Sequence, residues 1–280
     1  MKRKLLYLPL AFLFTGILFQ QCKKDEEKEN EDLTYSQNTT SQTNNANNEF
    51  EDVGRIADEA INTEDASNMR VAAADHCWDT LIHDKTSHLI TVKYNGSTCS
   101  DGRIRKGNIL IDYVPGKSYI ETGYQCTITL QNYSVNGIKV EGTRKIENLG
   151  PNSANNLVHK ITEANGKVTY TDNSTITWAS TRTREWKNFL NTPFNFTDDE
   201  WIISGTANGI KQDGKAYSLN FDKITYKMPC LILNIAYPSS GLETITVPEG
   251  ALKVNFGQGN CDKEVVITYF NGKDYAYTLK

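Results

Sequence analysis

Three textures divide the chain. Leu5 to Phe19 is apolar, Asp32 to Asn48 is almost wholly polar, and beyond Asp75 apolar and polar positions alternate. The apolar run follows Lys2, Arg3 and Lys4 and falls short of the roughly 20 residues that a spanning helix needs, which is the arrangement of an export signal over residues 1–21. In the polar stretch only Leu33, Tyr35 and Ala46 offer apolar surface, so 22–49 is expected to be a disordered tether. Phe50, Val53, Ile56, Ala57, Ala60 and Ile61 then recur at spacings of three and four, with Glu51, Asp52, Asp58 and Glu59 on the other side. That period predicts one short amphipathic helix within 50–75, of about three turns, which is marginal in water unless it docks.

The period changes to two over 76–280. Ile90, Val92 and Tyr94 alternate with polar neighbours, as do Ile109, Ile111 and Tyr113, then Cys126, Ile128 and Leu130. Further strand candidates are 138–146, 157–162, 167–171, 175–185, 201–209, 216–226, 231–236, 252–256, 265–270 and 275–279. Asn-Gly pairs at Asn95, Asn136, Asn165, Asn208 and Asn271, and Asp-Gly pairs at Asp101 and Asp213, supply the positive φ of tight hairpin turns. The fold class expected is therefore all-β: an up-and-down antiparallel meander curled into a sandwich or open barrel.

The address is carried by residue types as well as by period. Gln20, Gln21 and Cys22 close the apolar run. A cysteine in this place resembles a bacterial lipoprotein lipobox, with Gln21 standing where a small residue is usual. The resemblance implies cleavage ahead of Cys22 and acylation of its thiol, which holds the mature chain to a membrane without a spanning helix. Lys23, Lys24 and the acidic cluster from Asp25 to Asp32 resemble the Bacteroidetes signal that sends lipoproteins to the cell surface, implying an outer-membrane, surface-facing location. Asp79-Thr80-Leu81 resembles the short O-glycosylation acceptor of the same bacteria.

Export places the cysteines in an oxidising compartment. Ile90 to Cys99 and Leu252 to Cys261 share one texture: an alternating strand, a glycine-bearing turn and a terminal cysteine. Of the three pairings four cysteines allow, proximity along the chain selects Cys77 with Cys99 and Cys230 with Cys261. Cys126 is left over, in phase with Ile128 and Leu130, and reads as a buried thiol.

With 30 basic against 34 acidic residues and a net charge of -4, the chain has no positive field to attract nucleic acid. Trp178, Ser180, Arg182, Arg184 and Trp186 share one face of a strand. Indoles interleaved with guanidinium groups suit a glycan or anionic ligand. Arg103 with Arg105, and Arg144 with Lys145, would extend that face into a basic stripe, unless the arginines pair with Glu141, Glu147 or Glu185 across strands. Asp75, His76, Asp79, His83, Asp84 and His88 have metal-binding residue types without metal-site spacing, and Asp198, Asp199 and Glu200 lack the regular spacing of a calcium loop. No nucleophile elbow, Walker loop or dinucleotide fingerprint occurs, so no catalytic residue, metal or cofactor is assigned.

Asp101 to Gly107, Asn136 to Arg144, Trp178 to Trp186, and Cys261 with its Asn271-Gly hairpin carry a wider resemblance. Together they resemble a family of secreted flavobacterial lipoproteins with a β-rich domain of unassigned activity, covering most of the mature chain. What this implies is fold and location. The function expected is a noncatalytic, outer-membrane-anchored β domain that binds an extracellular or envelope component, a glycan or an envelope protein. The alternatives are a hydrolase of extracellular polymers and an envelope-structural lipoprotein without a small ligand.

Overall fold

The computed structural model describes residues 16–64, 77–192, 195 and 197–279, with side chains from Asn30 onward except Glu64. Helix α1 (Gly16–Glu64) precedes thirteen strands. In order they are β1 (Thr80–Asp84), β2 (Leu89–Thr98), β3 (Ile104–Tyr113), β4 (Gln125–Val135), β5 (Ile138–Pro151), β6 (Leu157–Thr169), β7 (Thr175–Lys187), β8 (Glu200–Ile210), β9 (Ala216–Lys227), β10 (Ser240–Val247), β11 (Gly250–Gln258), β12 (Glu264–Thr268) and β13 (Asp274–Thr278), with a five-residue helix α2 (Met228–Ile232) between β9 and β10. The strands form one sheet in sequence order, each antiparallel to its chain neighbour. The meander expected from the period-two pattern is the observed architecture, and it is a single open sheet rather than a sandwich.

The sheet curls around α1. Side chains of the helix reach β3 through Asp52 and Arg105, β7 through Asp58 and Arg184, β10 through Asn44 and Glu243, and β13 through Ser41 and Tyr277. From Thr39 to Thr63 no helix residue is exposed. Inward residues of the sheet, among them Ile109, Ile128, Ile146, Ile176, Leu219, Ile245 and Val254, complete the core with Phe50, Val53, Ile56, Ala57, Ala60 and Ile61.

The helix is far longer than the apolar period predicts, and the segment read as a tether from Asn30 to Glu49 is part of it. Asn, Thr and Ser form helices poorly by themselves. Here tertiary contacts override propensity, because Ser36, Thr39, Thr40, Thr43, Asn44 and Asn47 are enclosed by the sheet and most of them find polar partners. Residues 65–75 of the connector lie outside the described residues.

Turn signals were partly misleading. Asn136 and Asn271 make hairpin turns, whereas Asn95, Asn165 and Asn208 lie inside β2, β6 and β8. Two strand candidates, 157–162 and 167–171, are consequently parts of one strand, β6, which carries a bulge between Glu163 and Gly166 where it faces β7. A Cβ on Gly166 would sit 2.6 Å from the Trp178 carbonyl oxygen and 2.8 Å from the Phe50 ring, so only glycine lets the bulge pass this close. The run 231–236 is not a strand: Pro229 starts α2, which carries Cys230. Strands β1 and β10 were not anticipated.

Both expected disulfides are present, Cys77 with Cys99 and Cys230 with Cys261, each with a Cα separation of 5.0 Å. They fasten the start of β1 to the end of β2, and α2 to the β11–β12 connection. Cys126 is a buried free thiol, and burial pushes its pKa up to about 12, which keeps it unreactive.

Candidate functional site

In β7 the alternation places Trp178, Ser180, Arg182, Arg184 and Trp186 on one face, and that face points inward at α1. Trp178, Arg182, Arg184 and Trp186 are 1%, 2%, 4% and 6% exposed. The expected ligand platform is thus covered: Phe50 of the helix stacks on Trp178 with ring centroids 5.8 Å apart, and at the other end Trp186 packs against Phe189 and Trp201 of the sheet's own chain. The basic stripe exists but is interior. Arg105 of β3, Arg144 of β5 and both arginines of β7 face the helix, while Lys145 faces solvent.

Their partners are not Glu141, Glu147 or Glu185. Asp52 takes Arg105 at 2.9 Å, Arg55 at 2.6 Å and Arg103 at 3.4 Å. Burial would raise the Asp52 pKa, but these three cations outweigh it and hold the carboxyl at about 2. Asp58 receives Arg184 and the hydroxyl of Tyr119, and Tyr119 also accepts from Arg184 at 2.8 Å. Glu51 lies 2.9 Å from Arg182.

The centre of the lattice is Glu163, buried on β6. Its carboxylate accepts from Arg144 at 2.6 Å, Arg182 at 2.7 Å, Trp178 Nε1 at 2.5 Å and Ser180 at 2.7 Å. Burial again opposes ionisation and is overcome by the two guanidinium groups, leaving a pKa of about 2. Arg182 further donates to Asn47 at 2.8 Å and lies over the rings of Trp178 and Phe221. His159, stacked on Tyr119, is kept neutral by burial and by Arg184 and Arg144 nearby. Glu163 and His159 share the inward parity of Leu157 and Ile161, so alternation alone places them in the interior.

A second region lies under the amino-terminal half of the helix. Tyr35 donates to Glu249 and accepts from Lys211, each at 2.8 Å, and Lys211 also reaches Thr39 at 3.1 Å. Ser41 meets the Tyr277 hydroxyl at 2.7 Å, Asn44 donates to Glu243 at 3.3 Å, and Asn47 donates to Tyr226 at 3.1 Å. Glu243 of this seam is pushed up to about 7 by burial; Glu49 is raised to about 7 by burial and by Asp52, but it faces Arg103 and Arg105 of the lattice instead. Ser36 Oγ, Thr40 Oγ1, Asn48 Oδ1 and Glu49 Oε2 are buried without a hydrogen-bond partner.

The other candidates disperse. Asp79 accepts from Asn95, His83 bonds the Tyr113 hydroxyl, Asp84 caps the turn at Thr86 and Ser87, and His88 packs on Tyr113. Asp75 and His76 fall outside the described residues, among which no three metal-ligating side chains gather. Asp198 holds Thr192, and Glu200 pairs with Lys187. Thr80 of the glycosylation-like motif is exposed at the start of β1. Cys22 lies within the span of α1, and its side chain is outside the described set. The outer face of β5 and β6 carries a shallow depression of about 200 Å³, lined by Thr143, Lys145, Glu147, Lys160, Thr162 and Ala164. Comparison with protein-family models, curated proteins and solved structures finds no match.

Proposed function

We propose that the protein is a surface lipoprotein of the outer membrane, acylated at Cys22, whose noncatalytic β domain binds a carbohydrate or another envelope component outside the cell. The observation that supports export best is the pair of disulfides bracing the sheet, because such bonds form and persist in oxidising compartments. The Lys-Arg-Lys start, the apolar run and Cys22 supply a matching address. If Cys22 is the acyl acceptor, the anchor joins the domain through α1 itself. The 13 residues from Cys22 to Tyr35, which bonds Glu249, then span about 20 Å at the helical rise, a stiff spacer in place of a flexible tether.

Palmitate labelling of cells that express the full chain tests the anchor. Label is expected in the wild type and lost in Cys22→Ala; label surviving the substitution overturns the assignment. Screening purified protein against surface polysaccharides tests the binding half of the proposal. Trp186→Ala does not serve for this, since Trp186 is buried and its loss would first reduce stability.

A further inference from the structure

The two halves of α1 are not held alike. From Asn30 to Glu49 its apolar content is Leu33, Tyr35 and Ala46; besides the Tyr35 ring, which meets Phe270, Lys211 and Lys215, its contacts with the sheet are mostly hydrogen bonds made by Ser, Thr, Asn and Gln side chains. Beneath this limb the sheet presents the hydroxyls of Tyr226 and Tyr277, the carboxyl of Glu243 and the ammonium of Lys211, with the ring of Phe270 against Tyr35. Aromatic faces with a few hydroxyl, carboxyl and amine groups form the chemistry that recognises sugar rings and their hydroxyls. The limb fills that surface with small polar side chains, and the fit is incomplete, because Ser36 and Thr40 are wholly buried with unpartnered hydroxyls. A limb with so little apolar area gives up little hydrophobic stabilisation on entering water.

We propose that residues 30–49 are a releasable cover over a carbohydrate-binding groove on the inner faces of β9, β10 and β13, while the arginine-bound half of α1 stays in place. This inference rests on the binding function proposed above and names its site and ligand class. Opening must precede binding, so apparent affinity scales with the fraction of molecules whose limb is out. The limb's asparagines stand in for the ligand's hydroxyl groups at Glu243 and Tyr226.

The test compares the full chain with Ser41→Ala/Asn44→Ala, which removes the contacts to Tyr277 and Glu243 and leaves the Arg182 bond to Asn47 in place. A third protein adds Tyr226→Phe and Glu243→Gln to the loosened background. Each is measured against a panel of neutral and acidic polysaccharides, with hydrogen exchange of the limb followed in parallel. The expected result is at least tenfold tighter binding of one polysaccharide by the loosened protein, reversed by the two groove substitutions. Equal affinity of wild type and loosened protein would place binding elsewhere, overturning the cover while leaving the binding function. An open limb with no polysaccharide bound by any form would overturn the carbohydrate reading itself. Limb amides of the loosened protein as protected as those from Val53 to Ile61 would show that the limb does not release, and the proposal would fail.

Discussion

Residues 30–49 and 50–63 of α1 lie end to end on one helix, yet they meet the sheet with different chemistry. The carboxy-terminal half brings Phe50, Val53, Ile56, Ala57, Ala60 and Ile61, and sets Glu51, Asp52 and Asp58 against four buried arginines. The amino-terminal half brings Ser, Thr and Asn and is held mostly by hydrogen bonds, with the Tyr35 ring as its main apolar contact. Burial of apolar area and multiply bonded ion pairs fix the first half; the second gains only the modest net stability of exchanged hydrogen bonds. Helicity is thus a poor measure of attachment: one backbone geometry spans a firmly rooted segment and a lightly seated one.

Substitutions should separate the halves. Glu163→Ala leaves Arg144 and Arg182 buried without their shared carboxylate, and should cost about 4 kcal/mol in a denaturant titration. Phe50→Ala, which removes the ring stacked on Trp178, should cost about 3 kcal/mol in the same assay. A loss below about 1 kcal/mol in either case would contradict the rooted half.

The pH response sharpens the comparison, because the two halves titrate in opposite senses. Glu49 and Glu243 have folded pKa values of about 7, above their unfolded values, so their contribution is complete below about pH 4.5 and is lost as pH rises through 7. Asp52 and Glu163, at about 2, contribute above their unfolded values and lose that contribution only as pH falls toward 2. Between pH 5 and 8 the seat of the limb on β10 should therefore weaken by roughly 2 kcal/mol through Glu243, which accepts from Asn44, while Asp52 and Glu163 stay ionised. Glu243→Gln should remove its share, read as a flatter pH profile of stability.

Smaller effects follow from close packing. A Cβ on Gly54 would lie 2.6 Å from the Arg144 guanidinium, so Gly54→Ala should destabilise by about 1–2 kcal/mol although alanine favours helices. Asn44→Ala should cost less than about 1 kcal/mol, since only a 3.3 Å hydrogen bond to Glu243 and one to its own helix are lost. Thermal denaturation orders the two; the reverse order would break the distinction drawn between the halves.

The meander and both disulfides were legible because a period of two and cysteine proximity are local properties. The face shared by Trp178, Arg182, Arg184 and Trp186 was legible too, but not which way it pointed. Guanidinium groups normally mark the solvent side, and the carboxylate that reverses this for Arg184 is Asp58, 126 residues away in sequence. The amino-terminal half of α1 was illegible for a related reason. Its composition is that of a solvated linker, and the polar seat that enfolds it is assembled from β8 to β13, far along the chain. Asn165 misled because positive φ serves a bulge as readily as a turn, whereas Asn208 and Gly209 lie in β8 without any positive φ.

The division of α1 is tested most directly by native-state hydrogen exchange of the full chain at pH 5 and pH 8, resolved along residues 30–63. The expected result is exchange of Val53 to Ile61 only through global unfolding, and exchange of residues 30–49 through a lower-energy opening that becomes easier at pH 8. Uniform protection along the helix, unaltered between the two pH values, would contradict it.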